Sequence, residues 1–355
     1  MTIPIVIAHR GVPGERLEHT RASYEAGIAQ GADYIEPDVV CSSDGVLIVR
    51  HENEIGGTTN VAEHIEFADR RTTKFIDGVP HTGWFTEDFT LAELKALRTK
   101  ERLPALRPQN VPLNGSAEIL TFDEVLDIAE RANVDRDVPV GVYVETKHPT
   151  YFAAIGSDLN DLLIANLERR GQNNADAKVI IQSMEVGNLQ RLRPRTPLPL
   201  IQLMDRTGAP YDLIEAHDRR TYADLTTPTE LAKIAEYAQG IGPNKSQVIA
   251  RDRLARLTKD TGLVDDAHAA GLLVHIWTMR NENNFLPTNL RIGVRKSKPG
   301  DAIAEYLAFF EAGVDGVFSD FTATAVSARQ TWLAGPSQQP KPRLRRAPRA
   351  SRSKR

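Results

Sequence analysis

Several features that would indicate a particular class of protein are scarce or absent in this sequence. Cysteine occurs once among the 355 residues, at Cys41, so an intramolecular disulfide is excluded. No apolar run approaches the roughly 18 residues of a membrane-spanning helix. The formal net charge is only −3, so no specific nucleic-acid partner is expected. With 41% hydrophobic and 26% charged residues, the composition predicts a soluble globular protein with a sizeable core.

The first apolar run begins at Ile3, close to the start of the sequence. That position leaves no room for a signal peptide, so we expect a cytoplasmic location for the chain as written. A periplasmic or secreted location is the alternative, for a chain whose leader was removed. No pattern in the sequence predicts an oligomeric state.

The positive charges are concentrated at the end of the chain. Residues 341–355 carry eight Lys or Arg and no acid, which leaves −11 for residues 1–340 once these eight charges are taken from the total of −3. Residues 336–355 are rich in Pro and basic residues and hold almost no apolar side chains, which predicts a disordered tail. Contact with an anionic surface and a solvated tail without a specific partner are both open.

Short apolar runs alternate with helical patterns over most of the chain, which predicts a parallel sheet. Eight such strands are the number that closes a TIM (β/α)8 barrel. A doubly wound open sheet is the alternative, but it predicts a Gly-rich turn after strand one, where only Gly11 and Gly14 occur. The predicted strands are 3–8, 34–42, 140–147, 179–183, 199–203, 240–242, 272–278 and 316–319.

One long segment interrupts this rhythm. Residues 52–118 hold Gly, several Pro and one clear short helix near 91–97. We interpret them as an insertion within a single barrel domain of residues 1–335. Loops of this length are usually functional. The aromatic residues Trp84 and Phe85 either pack this insertion or form a wall of the site.

Polar side chains occur late in several predicted strands, where a core would not select them. Residues two apart on a strand share a face, so Glu36 and Asp38 project together and repel each other unless a cation lies between them. A solvated edge strand is the alternative interpretation. Because the reactive groups of a closed barrel lie at the carboxyl ends of its strands, we expect one shared site. Its members are His9, Arg10, Glu36, Asp38, His51, Glu145 and Lys147.

The chemistry of this set favours a phosphoester substrate. Three carboxylates without cysteine favour a hard divalent cation, Ca²⁺ or Mg²⁺, whereas zinc more often has two or three His ligands. Arg10 and Lys147 can bind phosphate oxygens. Two histidines can divide the proton transfers between the attacking and the leaving oxygen. The residues therefore predict metal-assisted phosphoester hydrolysis.

The order and spacing of these motifs resemble the glycerophosphodiester phosphodiesterase family. The resemblance extends over nearly all of residues 3–330 and is strongest to the bacterial, periplasmic-type branch, including the long insertion. The matching segments are His9-Arg10-Gly11, Glu18-His19-Thr20, Gly31 to Asp38, Asp44-Gly45, His51, Glu145-Thr146-Lys147, Gln182-Ser183, Ala235 to Pro243 and Gly313 to Asp320.

The resemblance implies a TIM-barrel hydrolase of glycerophosphodiesters such as glycerophosphocholine and glycerophosphoethanolamine, with sn-glycerol 3-phosphate and an alcohol as products. It leaves open which histidine is the acid, and whether water or the glycerol 2-hydroxyl attacks first. The implied roles are His9 and His51 as acid and base, Glu36, Asp38 and Glu145 as metal ligands, and Arg10 and Lys147 as phosphate ligands. Weaker candidates for substrate contact are Glu18, Gln182 and Trp277. Glu18 could instead support its loop, and Gln182 and Trp277 could instead fill the barrel core.

Two other functions compete with this one. A lysophospholipase D or sphingomyelinase D on the same barrel would need an apolar groove for acyl chains, whereas the insertion is mostly polar. A non-catalytic phosphodiester-binding module would lack at least one proton-transfer group, yet every such position is filled. Turnover of glycerophosphocholine without turnover of lysophosphatidylcholine would distinguish a glycerophosphodiester phosphodiesterase from the first alternative.

Overall fold

Eight parallel strands close into a barrel in the computed structural model, which describes residues 3–134 and 136–335. The predicted disordered tail, residues 336–355, lies outside the described residues. The strands are β1 (Ile5–His9), β2 (Tyr34–Glu36), β3 (Asp38–Cys41), β4 (Leu47–Val49), β5 (Thr72–Ile76), β6 (Val79–Gly83), β7 (Gly141–Thr146), β8 (Val179–Ser183), β9 (Leu200–Met204), β10 (Gly240–Pro243), β11 (Ile249–Arg251), β12 (Leu257–Asp260), β13 (Leu273–Met279) and β14 (Gly316–Ser319).

Helices follow most of the barrel strands and cover the outside of the barrel. Short 3-10 helices occupy Val61–Glu63, Ile65–Arg70, Thr86–Asp88, Val111–Leu113, Arg193–Arg195 and Thr288–Leu290. The α-helices are α1 (Arg21–Ala29), α2 (Leu91–Ala96), α3 (Phe122–Asn133), α4 (Pro149–Ala154), α5 (Leu159–Arg169), α6 (Val186–Leu192), α7 (Tyr211–Glu215), α8 (Tyr222–Leu225), α9 (Pro228–Ile234), α10 (Lys245–Val248), α11 (Leu263–Ala269), α12 (Ala302–Glu311) and α13 (Thr322–Leu333).

The order of the strands confirms the predicted barrel. The strands follow one another around the barrel in the order β1, β2 with β3, β7, β8, β9, β10, β13 and β14. The ring closes because β14 pairs with β1. The second position is shared, because Pro37 separates β2 from β3 and both pair in parallel with β7. A turn at Ser43-Asp44-Gly45 returns β4 antiparallel to β3.

Alternation along the strands separates the interior of the barrel from its helix-covered outside. His9 lies two residues after an interior residue of its own strand, and the same holds for Glu145 and Gln182. These three side chains therefore share the inner face of the barrel. The register places His9 beside Glu36, and Glu145 between Asp38 and Gln182. The apolar interior below them is formed by Ile7, Tyr143, Ile180, Ile201 and Phe318.

Local capping signals fix where two of the outer helices begin. The Thr20 side chain accepts a hydrogen bond from the Ser23 amide at the start of α1. Thr121 and Glu124 form a capping box at the start of α3. Among the described residues, no helix has both the length and the apolar character that crossing a bilayer requires.

The insertion has more structure than the sequence predicted. Besides α2, it contains the antiparallel hairpin β5–β6, which was not predicted. Phe85 is fully buried, and the Trp84 indole donates a hydrogen bond to the Phe67 carbonyl at 2.7 Å. Neither aromatic ring lines the cavity at the carboxyl ends of the barrel strands, so both pack the insertion.

Gly11 is required by the tight turn that follows β1. Its φ is +88°, and a Cβ atom there would lie 2.3 Å from the Ser23 Oγ. We expect Gly11→Ala to lower the free energy of unfolding by at least about 2 kcal/mol, because the left-handed backbone and the clash both oppose a side chain.

A matched control is available for this substitution. Gly45 also has a positive φ, +78°, but a Cβ atom at this position would have no other atom within 4 Å. Gly45→Ala should therefore cost only about 1 kcal/mol in a denaturant titration. Equal losses of unfolding free energy at the two positions would show that the clash with Ser23 contributes nothing.

Candidate active site

A cavity opens at the carboxyl ends of the barrel strands, and most of the predicted site residues line it. Its volume is about 100 Å³, and Met184, Leu203 and Phe318 contribute apolar surface to it. The predicted residues Asp38 and Glu18 are buried without lining the cavity. Those that line it are His9, Arg10, Glu36, His51, Glu145, Lys147, Gln182 and Trp277.

Three carboxylates converge beside the cavity. Glu36, Asp38 and Glu145 are buried, and each places a carboxylate oxygen within 4.8 Å of the other two. Gln182 donates to one Glu36 oxygen at 3.1 Å, and the Arg10 amide donates to the other at 2.9 Å. The Oδ1 atom of Asp38 is buried and has no hydrogen-bond partner among the described residues.

The electrostatics of this cluster favour a bound cation. Burial raises the pKa of Glu145 to about 7, and burial with the charges of Asp38 and Glu145 raises the pKa of Glu36 well above its ordinary value. An unpartnered buried oxygen and repulsion among three acids are both relieved by a positive ion. The all-oxygen donor set fits a hard divalent cation of the Ca²⁺ or Mg²⁺ class.

His9 is held by a carboxylate at the end of β14. Its Nδ1 atom lies 2.6 Å from Asp320 Oδ1, so the ring carries a proton on Nδ1 and presents Nε2 as the free nitrogen. Although burial opposes it, Arg280 and Arg107 hold the pKa of Asp320 well below its ordinary value. Burial, followed by the Arg10 guanidinium, lowers the pKa of His9 to about 4.

His51 is held by a carboxylate in a similar way. Its Nδ1 atom lies 2.5 Å from Glu52 Oε1, and its Nε2 atom lies 3.4 Å from Lys147 Nζ. Burial, and then the charges of Arg10 and Lys147, lowers the pKa of His51 to about 3. Both rings are therefore neutral at neutral pH in the free protein, with one nitrogen of each fixed by a carboxylate.

Positive groups border the carboxylates. Lys147 Nζ donates to Glu145 at 2.7 Å, and Arg10 Nε lies 3.3 Å from Asp38. Arg10 adopts a φ of +58°, a conformation that non-glycine residues rarely take. Such backbone strain is typical of functional positions, where the surrounding structure compensates for it.

Glu18 occupies a different place from the one expected of a substrate ligand. It accepts two hydrogen bonds from Arg102, at 2.6 and 2.8 Å, and lies 3.4 Å from Arg10. Arg102 also reaches Glu52, the partner of His51. The structure thus places Glu18 in an ion-pair network that holds Arg10, and its contact with substrate stays a prediction.

The other two weak candidates do line the cavity. Gln182 contacts Glu36 as described, and its Oε1 atom is buried without a partner among the described residues. The Trp277 indole nitrogen donates to the Gly242 carbonyl at 2.7 Å, which fixes the ring at the cavity wall.

Several residues of the site were not singled out from the sequence. Asp320 and Arg280 each directly follow a barrel strand, so the strand-end rule could have found them. His19 lies within a matched motif, and its Nε2 atom lies 2.9 Å from Asp38. Arg107 belongs to the insertion, where no periodic pattern marks it.

Comparisons with known proteins agree with this site. The model of the glycerophosphoryl diester phosphodiesterase family matches residues 9–324. A glycerophosphodiester phosphodiesterase of Arabidopsis thaliana is 36% identical over 349 residues, which cover 95% of this chain and 88% of that protein. A glycerophosphodiester phosphodiesterase of Haemophilus influenzae is 26% identical, over 91% of this chain and 88% of that protein.

Solved structures show the same barrel. A phosphodiesterase of Oleispira antarctica, in complex with the product sn-glycerol-3-phosphate, matches with a TM-score of 0.60 and 20% identity, covering 92% of this chain and 97% of that one. A glycerophosphodiester phosphodiesterase of Agrobacterium tumefaciens matches with a TM-score of 0.52 and 19% identity, covering 91% and 99%. The family match and the curated relatives decide the question: the chain belongs to the glycerophosphoryl diester phosphodiesterase family of enzymes.

Proposed function

We propose that this enzyme hydrolyses glycerophosphodiesters, among them glycerophosphocholine and glycerophosphoethanolamine, to sn-glycerol 3-phosphate and an alcohol. The observation that carries the proposal is the convergence of two neutral imidazoles, His9 and His51, on one cavity beside three buried carboxylates. Each imidazole is fixed on Nδ1 by a carboxylate and presents Nε2. That arrangement supplies two proton-transfer groups to one phosphodiester.

Arg10 and Lys147 would hold the phosphate. Both line the cavity, and each already contacts one of the carboxylates, so their charges are fixed before substrate arrives. A planar guanidinium and an ammonium suit the non-bridging oxygens of a phosphodiester. Fixed donors of this kind stabilise the charge that develops on those oxygens as the ester bond breaks.

Glu36, Asp38 and Glu145 would hold the divalent cation. When bound there, the cation supplies Lewis-acid stabilisation of the phosphoryl oxygens and acidifies the attacking hydroxyl. Gln182 orients Glu36 through its hydrogen bond, and His19 orients Asp38. Such contacts to ligand side chains usually affect metal affinity.

The two histidines have different surroundings, which assigns them different roles in the proposal. Burial and the charges of Arg10 and Lys147 keep the His51 ring neutral, with Lys147 Nζ 3.4 Å from its Nε2 atom, so His51 is ready to accept the proton of the attacking hydroxyl. The ionised Asp320 behind His9 stabilises an imidazolium there, so His9 takes up a proton from solvent on Nε2 when the anionic phosphodiester binds and donates that proton to the leaving alkoxide.

The residues that line a second cavity, next to the first, favour a substrate with a cationic headgroup. Glu145, Lys147 and Met184 line both cavities. The second is also lined by the rings of Tyr211 and Tyr222, by the Asp77 carboxylate and by Glu185, whose pKa is raised by burial to about 8. Aromatic faces combined with carboxylates bind quaternary ammonium and ammonium groups.

Asp77 is the clearest test of this headgroup site. One of its oxygens lies 2.6 Å from His148 Nδ1, and the other is buried without a partner among the described residues. We expect Asp77→Asn to lower kcat/KM roughly tenfold for glycerophosphocholine and to leave glycerophosphoglycerol unchanged, because only the first headgroup is cationic.

Glu215 provides the control for Asp77. It accepts a hydrogen bond from the Tyr211 hydroxyl at 2.5 Å but does not line the cavity. Glu215→Gln should change neither substrate. An equal loss with both substrates in Asp77→Asn would reject the cationic headgroup while leaving the phosphodiesterase activity intact.

The function itself is tested by direct turnover. The protein is incubated with glycerophosphocholine, glycerophosphoethanolamine, glycerophosphoglycerol and lysophosphatidylcholine, and sn-glycerol 3-phosphate is detected by a coupled reaction. We expect turnover of the three glycerophosphodiesters only. Choline release from lysophosphatidylcholine, with no turnover of glycerophosphocholine, would favour a lysophospholipase D instead.

A further inference from the structure

Two adjacent loops at the rim of the barrel combine exposed aliphatic side chains with unpaired cations. The first loop is residues 252–256, which joins β11 to β12, and the second is residues 291–298, which lies between β13 and α12. We name the surface that they form the basic rim patch. The first loop lies in the connection after β10 and the second in the connection after β13, so both lie at the carboxyl end of the barrel, the same side as the catalytic cavity.

The apolar part of the patch is unusually exposed. Leu254 is 64% exposed, Ile292 is 62% exposed and Val294 is 97% exposed. Single exposed apolar residues are common on proteins, but Ile292 and Val294 lie two residues apart at the tip of one loop, and Leu254 lies on a loop anchored at the same short helix. Nothing within the described residues covers these side chains.

The charged part of the patch has one sign. Its exposed cations form no ion pair with the carboxylates of the described residues, whereas the neighbouring Arg256 is paired with Asp252 at 2.7 Å. Residues 283–300 contain no Asp or Glu at all. The unpaired cations are Arg253, Arg291, Arg295, Lys296 and Lys298.

The 291–298 loop is held in shape from below. Asn283 is 2% exposed, and its side chain donates to the carbonyls of Ile292 and Arg295 and accepts from the Ile292 amide, at 2.8 to 3.0 Å. The Asn283 amide also donates to the Lys298 carbonyl at 2.8 Å. The aliphatic tip is therefore presented by a fixed backbone.

The first loop is joined to the 3-10 helix Thr288–Leu290, which directly precedes the second loop. The Thr288 amide donates to the Ala255 carbonyl at 3.0 Å, and its hydroxyl donates to the Leu254 carbonyl at 2.7 Å. The Leu257 amide donates to the Asn289 side chain at 2.9 Å. Both loops are thus anchored at the same short helix.

We propose that the basic rim patch docks the enzyme on an anionic lipid bilayer, with its cations among the headgroups and its aliphatic tip at the acyl boundary. Lys and Arg bind anionic headgroups, and interfacial apolar side chains add affinity by leaving water. Nucleic acid would satisfy the cations but offers no site for three aliphatic side chains. Docking would bring the catalytic mouth to the bilayer, where glycerophosphodiesters are released when phospholipids lose their acyl chains; this consequence rests on the proposed function.

Vesicle co-sedimentation of the full chain tests the charges. We compare wild type with Arg295→Gln/Lys296→Gln/Lys298→Gln on vesicles of phosphatidylcholine alone and mixed with phosphatidylglycerol. The triple variant should lose roughly 100-fold in partitioning to the anionic vesicles, from the three cations together. Residues 336–355 are present in every protein, so the comparison isolates the loop.

The matched charge control lies at the opposite end of the barrel. Arg131→Gln/Arg136→Gln/Lys178→Gln removes the same three charges from the side where the strands begin. This control should keep nearly all of the wild-type binding. An equal loss in both triple variants would show that net charge alone matters, and would overturn the proposal.

The aliphatic tip is tested separately, at a salt concentration that screens the charges. Ile292→Ser/Val294→Ser should lose roughly tenfold in partitioning, whereas Val138→Ser, at an exposed position on the opposite side, should lose none. Turnover of soluble glycerophosphocholine should be unchanged in all of these variants, which separates docking from catalysis. Binding of every variant like wild type, or loss of RNA binding instead of vesicle binding, would overturn the proposal.

Discussion

His9→Ala and His51→Ala should respond differently to the leaving group of the substrate. With glycerophosphocholine, each substitution should lower kcat by about 10²- to 10⁴-fold, the usual contribution of a general acid or base. With a p-nitrophenyl ester of glycerol phosphate, His9→Ala should recover most of that loss, because p-nitrophenolate leaves without a proton. His51→Ala should stay impaired, since the attacking hydroxyl still needs a base.

The reason for this difference lies in the groups around each ring. Asp320 is fixed behind His9 by Arg107 and Arg280, so its charge is available to an imidazolium at His9. Lys147 lies beside the free nitrogen of His51. Recovery in His51→Ala instead of His9→Ala would reverse the two roles.

His81→Ala is the control for both histidine variants. His81 is exposed on β6 in the insertion and does not line the cavity. Its substitution should leave both substrates unaffected. Near wild-type turnover of glycerophosphocholine in either active-site variant would reject the pair of histidines altogether.

Asp38→Asn should remove the response to divalent cations together with activity. In wild type, an ion at 100 times its Kd adds about 2.7 kcal/mol to the free energy of unfolding, which raises Tm. Without one of three carboxylates, the variant should show little of that shift, and its kcat should fall by at least about 100-fold. Thermal unfolding with and without Ca²⁺ or Mg²⁺ measures the first effect and a turnover assay the second.

The stability of the ion-free variant gives an independent check. Although burial opposes it, nearby positive groups, among them Arg10 Nε at 3.3 Å, hold the pKa of Asp38 well below its ordinary value even without an ion. Asp38→Asn should therefore be less stable than wild type in the presence of a chelator as well, because the buried Arg10 guanidinium loses this counter-charge. Asp161→Asn, at an exposed carboxylate that pairs with Arg195, should keep both the ion-induced shift and the activity. A full thermal shift in Asp38→Asn would contradict the assignment of this ligand.

The barrel could be predicted from the sequence because its strands are buried on both faces. Strands such as Val179–Ser183 and Gly316–Ser319 are short apolar runs between helices, and the predicted bounds agree with those in the structure. The β5–β6 hairpin has no such pattern. Most of its side chains are exposed, so it carries no alternation of apolar and polar residues by which it could be recognised.

The site could be predicted only as far as the strands that carry it. Glu36, Asp38 and Glu145 follow from strand alternation and from the rule that active sites lie at the carboxyl ends of barrel strands. Arg107 could not be found in that way. It reaches Asp320 across 213 positions of sequence, from an insertion whose path no local pattern determines.

The same limit applies to the surroundings of Glu18. Its contact with substrate stays a prediction, but no local pattern indicated that Arg102, 84 residues away in the insertion, pairs with both of its oxygens. Two charged residues that meet across a long loop carry no joint signal in one sequence. Their pairing depends on the tertiary path of the chain.

The most direct measurement is the product formed from glycerophosphocholine by chelator-treated protein before and after Ca²⁺ or Mg²⁺ is added. We expect no product in excess chelator, and equal amounts of sn-glycerol 3-phosphate and choline once the ion is restored. A full rate in excess chelator, or release of phosphocholine and glycerol in their place, would contradict hydrolysis by these histidines and carboxylates.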